Sequence, residues 1–112
     1  MVEVTFLAAI LDSLKDPVLV ADPEHVIRYM NKAAIAHYRE GEALLGRSLL
    51  DCHNAESQQM MRDILTAMQH DGLEERLITD DEKHRIFMRA VRDAQGRLLG
   101  YYERYEPPRL AT

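Results

Sequence analysis

The stretch from Gly46 to Gly72 constrains this chain more than any other, because the apolar residues inside it repeat with a helical period. Met61, Ile64, Leu65 and Met68 stand at i, i+3, i+4 and i+7, so they share one face of an amphipathic helix. Gly72 ends the pattern. Gly46-Arg-Ser-Leu-Leu-Asp-Cys-His53 precedes it as a tight turn and a short helical segment ending at His53. On both sides of this region the period changes to that of strands.

Before it, Pro17-Val-Leu-Val-Ala-Asp22 is rich in β-branched residues and reads as a strand. Asp22-Pro-Glu-His25 has turn chemistry, and Val26-Ile-Arg-Tyr-Met30 returns as a second strand, giving a hairpin. Asn31 is placed to cap a helix over Lys32–Tyr38. Beyond Gly72 come three more strand patterns, over 73–79, 84–91 and 98–105. Asp93-Ala-Gln-Gly96 is a hairpin loop between the last two. Pro107-Pro108 ends the final strand. At the start, Phe6, Leu7, Ile10, Leu11 and Leu14 form the stripe of a helix over 4–14, with Thr5 as its N-cap and Lys15-Asp16-Pro17 as its stop. A stripe this apolar needs cover, from the chain's own sheet or from the same helix in a second copy.

Strands at both ends with helices between them predict an α+β domain. It would be a five-stranded antiparallel sheet with short helices and one longer helix on one face. Residues 1–16 are expected to form an N-terminal capping helix, 17–107 the main domain, and 108–112 a flexible tail. At 112 residues the chain is one domain with one modest core. A net charge of −5 argues against nucleic acid. No apolar run approaches the roughly 20 residues of a membrane span, and no secretory leader is recognisable. One cysteine precludes an internal disulfide and fits a reducing compartment, so a soluble cytoplasmic protein is expected. No nucleophile–base constellation or phosphate-cradling loop is present, so no enzyme is expected.

Several segments together resemble PAS domains, over roughly residues 7 to 106. They are Leu14-Lys-Asp-Pro-Val-Leu-Val-Ala-Asp22, Val26-Ile-Arg-Tyr-Met-Asn-Lys-Ala33, Leu44-Leu-Gly-Arg47 and Val91-Arg-Asp-Ala-Gln-Gly-Arg-Leu-Leu-Gly100. The resemblance implies the PAS fold and a sensor or ligand-binding role. It leaves the ligand open, since PAS domains hold haem, flavin, small acids or nothing. Light-sensing flavin PAS domains place a reactive cysteine where this chain has Leu49, so flavin is not expected. Oxygen-sensing haem kinases place their haem histidine where this chain has Met61. Haem PAS domains of soluble aerotaxis-type chemoreceptors are more similar. Their histidine lies seven residues after the glycine matching Gly46 and falls on His53, and their last-strand tryptophan falls on Tyr105. The Cys52-His53 pair also resembles bacterial PAS domains with Cys-His-Pro at this point.

The resemblance therefore implies b-type haem, with His53 as proximal iron ligand, Tyr105 as distal group, and a diatomic gas or redox state as the signal. Met61, Ile64, Leu65 and Met68, with Ile86 and Met88 from a strand, are the expected pocket wall, because thioether and branched chains adapt to a flat ligand. Plainer readings stand beside these. His53 could be a helix-end histidine bonded to a carbonyl, Tyr105 a cross-strand aromatic, the methionines core filler, and Cys52 a small buried hydrophobe. Tyr101, Glu103 and Tyr105 share a strand face, so an inward Tyr105 brings Glu103 inward, where it needs a partner such as Arg47 or Arg89. His25, His37, His70 and His84 are expected in solvent. The alternative function is a haem-free module for homodimerisation through the N-terminal helix or for binding a small organic molecule. A thiol switch at Cys52 is a third class and requires a depressed thiol pKa.

Overall fold

The computed structural model describes residues 3–109. The expectation of a flexible tail therefore lies outside the described residues for 110–112, as do the first two residues of the capping segment. Helix α1 spans Val4–Asp12, α2 Lys32–His37 and α3 Ala55–His70. Strands are β1 Val18–Ala21, β2 Ile27–Met30, β3 Glu75–Asp80, β4 Arg85–Arg92 and β5 Leu98–Glu106. Two 3₁₀ turns, Gly41–Leu44 and Leu49–Cys52, lie between α2 and α3. All strand pairs are antiparallel, in the order β2-β1-β5-β4-β3, so the first and last strands lie side by side. The expected α+β architecture and five-stranded sheet are what is observed.

One core joins the layers. Leu19, Ala21, Ile27, Met30, Met88 and Tyr101 of the sheet pack against Ala34, Leu44, Leu49 and the α3 face of Met61, Ile64, Leu65 and Met68. Burial of those four α3 side chains stabilises by about 2 kcal/mol each. Asn54 starts α3 by accepting the Ser57 N–H. The other sheet face carries alternating charge. Arg104 binds Glu75 at 3.0 Å and also bonds Glu106, Arg85 binds Glu106 at 2.8 Å, and the Arg104 guanidinium lies 4.3 Å above the Phe87 ring.

Three local features fix the chain entering the core. Asn31 is fully buried and uses its whole amide. Its Oδ1 accepts from the Val18 and Ala34 N–H groups, and its Nδ2 donates to the carbonyls of Leu11 and Asp16. It thus caps α2, as expected, and also ties down the end of α1. Second, the Asp22 carboxylate accepts from Glu24 and Val26 N–H and turns β1 into β2, with His25 at φ 66°. Third, Gly100 brings β5 against β1: a Cβ there would lie 2.3 Å from the Ala21 carbonyl oxygen.

Helix α1 departs from expectation at both ends, stopping at Asp12 rather than Leu14. Glu3 is its N-cap, and Thr5 lies inside the helix. None of its residues is buried: Val4, Phe6, Leu7 and Ile10 face outward, with Leu14 beyond the helix end also exposed. Its second half is anchored by the Tyr29 hydroxyl, which meets the Ala8 carbonyl at 3.2 Å and the Asp12 carboxylate at 2.8 Å. The sheet does not cover the stripe.

Candidate functional site

A cavity of about 470 Å³ opens between the sheet and the segment that connects α2 to α3. The connecting segment is held against the first hairpin by backbone bonds. The Ile27 N–H donates to the Arg47 carbonyl, the Leu49 N–H to the His25 carbonyl, and the Gly46 N–H to the Ile27 carbonyl. Ser48 caps the second 3₁₀ turn by accepting the Leu50 N–H. At its other end, Gln58 Nε2 donates to the carbonyls of Leu50 and His53, fastening that turn to α3. Arg47, Ser48, Cys52 and His53 are thereby arrayed along one wall.

The opposite wall comes from β5. Strand alternation sends Tyr101, Glu103 and Tyr105 inward, all three buried. Glu103 stands between Leu19 of β1 and Met88 of β4, its direct cross-strand partners, both fully buried. The side chain is almost wholly buried, and that burial pushes the Glu103 carboxyl up to about 7. Its Oε2 has no hydrogen-bond partner among the described residues. The suggested partners do not supply one. Arg47 lines the same cavity without an ion pair to Glu103, and Arg89 lies on the outer face near Glu75.

Tyr105 reaches across the cavity to Tyr38, at the end of α2, with the two hydroxyl oxygens 2.5 Å apart. Burial raises the pKa of both phenols. The rings of His37 and His84 pack on Tyr105, each 4.9 Å away between centroids. Deeper in the domain, Tyr101 meets Nδ1 of His25 at 2.7 Å. His25 is buried, contrary to the expectation of a solvated turn residue, and burial lowers its pKa. His37 and His70 are exposed as expected, while His84 is half-buried.

Of the residues read from the sequence, His53, Tyr105 and Ile86 line the cavity. Met61, Ile64, Leu65, Met68 and Met88 do not: they are close-packed in the core behind it. The helical period correctly marked an inward face, but that face meets the sheet rather than the cavity. His53 is half-buried, and loss of hydration lowers its pKa, which disfavours the imidazolium. Cys52 is exposed rather than buried. Partial desolvation, with help from Glu40 and Asp51, raises its thiol pKa, the opposite of what a reactive thiol needs. Tyr38, which closes the cavity, has no local sequence signal. It is found only through its contact with Tyr105.

The sequence matches the family model described as PAS fold over residues 11–108. The chain belongs to the PAS fold family. Solved structures agree at the level of fold. A C-terminal domain from Streptococcus mutans superposes with TM-score 0.77 at 16% identity, covering 95% of this chain and 85% of that one. The Aer2 receptor of Vibrio cholerae, described as a dual PAS-haem oxygen sensor, gives 0.55 at 17% identity, covering 80% and 91%. VqmA of the same organism, in complex with DPO, gives 0.68 at 16% identity, covering 96% of this PAS chain and 59% of that one. No curated protein matches the sequence at a significant level. Among the described residues no group of three or more histidine, cysteine or acidic side chains is placed to hold a metal ion, and no helix is long and apolar enough to cross a membrane.

Proposed function

We propose that this PAS domain is a sensor that binds a small organic molecule in the cavity between β5 and the 3₁₀ turn ending at Cys52. The observation that carries the reading is the cavity itself. Its volume of about 470 Å³ suits a compact ligand, and side chains from the sheet, α2 and the connecting turns converge on it. A ligand touching Tyr105 and Tyr38 bears on β5 and α2 together. It shifts the domain between states to the extent that it contacts them differently. VqmA bound to DPO offers a parallel in fold.

The haem reading rests on His53, an imidazole on the cavity wall whose burial disfavours its cation, and on the similarity in fold to Aer2. The remaining lining fits a macrocycle poorly. The soft methionine wall lies in the core, Tyr105 is engaged with Tyr38, and Glu103 presents a carboxyl with an unpartnered oxygen. We therefore place haem second. The exposed stripe of α1 supports a further element of the reading, association with a second copy through Phe6, Leu7 and Ile10.

An absorption spectrum decides between the two ligands. Purified protein titrated with haem, with and without reductant, is expected to show no stoichiometric Soret band. A band saturating at one haem per chain and lost in His53→Ala restores haem and removes the organic-ligand reading.

A further inference from the structure

The chemistry of the cavity wall narrows the class of ligand, on the premise that the cavity binds a small organic molecule. Glu103 is almost wholly buried, and its Oε2 has no hydrogen-bond partner among the described residues. Enclosing a carboxyl without a donor is costly, and buried polar groups are normally satisfied. The neighbouring strands offer Glu103 only Leu19 and Met88. The cavity side is where a hydrogen-bond partner can reach it.

Charge along the lining points the same way. Glu40 and Asp51 set two carboxyl groups against one guanidinium, that of Arg47, with the Glu103 carboxyl deeper in, while burial disfavours the His53 cation. An organic anion would meet an excess of like charge. A nitrogen cation would meet opposite charge at depth, and the Tyr38, Tyr105 and His53 rings on the walls, whose faces attract cations. In the Tyr38–Tyr105 pair one hydroxyl hydrogen is used between the two oxygens. The other is free to turn toward a ligand acceptor.

We infer that the cavity takes a small organic nitrogen base, a protonated amine, amidine or N-heterocycle, which donates an N–H to the Glu103 carboxyl. Glu103 is the specificity-determining residue of this site. Tyr38 and Tyr105 flank the ligand, and Glu40 and Asp51 bias entry toward cations. No bond is made or broken. Binding supplies the donor that Glu103 lacks and favours its ionised form.

Three probes of matched shape test the inference: benzamidine, benzoate and benzyl alcohol, measured by thermal shift and calorimetry against the parent, Glu103→Gln and Arg47→Ala. Benzamidine is expected to raise the melting temperature of the parent while benzoate does not. Glu103→Gln should weaken benzamidine by ten- to a hundredfold, the loss of a charge-assisted hydrogen bond, with benzyl alcohol unchanged. A readout without substitution accompanies it. Near pH 6 the difference infrared spectrum should show a protonated-carboxyl band disappearing when benzamidine binds. Equal benzamidine binding to parent and Glu103→Gln, or no benzamidine binding, overturns the inference. If benzoate binds instead and Arg47→Ala abolishes it, the site is an anion site and the organic-ligand reading survives. If none of the three binds and haem titrates to one per chain, both readings fall together.

Discussion

The hydroxyl oxygens of Tyr38 and Tyr105 lie 2.5 Å apart, and through them the end of α2 is joined to β5 across the cavity. Tyr105 is otherwise held by its strand, beside Ile86 of β4, while Tyr38 sits at the helix end with an extended backbone. The pair is a crossbar between the helical layer and the centre of the sheet. Replacing either hydroxyl by hydrogen leaves its partner in a largely apolar place.

Tyr38→Phe and Tyr105→Phe should therefore each destabilise by about 1–2 kcal/mol, and the double variant by less than the sum. Urea unfolding of the four proteins gives the coupling directly. A coupling of zero would mean that the two phenols do not interact in solution.

The second prediction concerns pH. Burial holds the Glu103 carboxyl at about 7, above its ordinary value of 4.5. The unfolded chain releases this proton near 4.5 and the folded chain keeps it until about 7. Glu103 therefore costs no stability at low pH, and the folded state weakens as pH rises through that window, with no further change above it. The tyrosine hydroxyls around it, Tyr38, Tyr101 and Tyr105, have raised pKa values and stay neutral throughout. Arg47, Glu40 and Asp51 are the charged groups along the same cavity. Glu103→Gln should remove this loss and exceed the parent by up to about 3 kcal/mol at about pH 8. Urea midpoints at about pH 5 and 8 test it; an unchanged slope in the variant would assign the effect to another group.

Asn31 makes four hydrogen bonds from a site with no exposure. Asn31→Ala removes all four and leaves buried backbone donors and acceptors unsatisfied, a loss of about 3 kcal/mol or more. Because two of the bonds reach the Leu11 and Asp16 carbonyls, the last turn of α1 should lose hydrogen-exchange protection first. Uniform loss across all helices would instead mark Asn31 as part of the global core alone.

Association through α1 predicts a dimer by sedimentation. Leu7→Asp with Ile10→Asp should give monomers that keep their fold, since both side chains are exposed within one chain. A parent protein that sediments as a monomer at high concentration would remove this contact from the reading.

Much of the fold was legible because its elements announce themselves locally. The β1–β2 hairpin carries its Asp22 turn, α2 its Asn31 cap, and α3 its methionine and isoleucine face. What could not be read was the identity of the surface opposite each face. The α3 period says that Met61 and Met68 point inward, but a period contains no information about whether inward means a packed sheet or a cavity. The same limit hid His25. Its turn composition suggested solvent, while its left-handed backbone and the bond to Tyr101 place it inside. Tyr105 and Glu103 were reachable by alternation along one strand, whereas Tyr38 depends on a contact between residues far apart in sequence.

The adjacency of β1 and β5 has a consequence for how the chain is made. Val18 pairs with Arg104, so the centre of the sheet unites a strand made early in this domain with one made late. The β1–β2 hairpin and the β3–β4–β5 meander can each form from near neighbours, but the two halves join only when β5 is available. Until then β1 offers an unpaired edge to whatever else can extend it. Closing so distant a contact slows the final step. A nascent chain stalled before β5 would hold an open half-sheet, and it is in that interval that a chaperone would matter most to this protein.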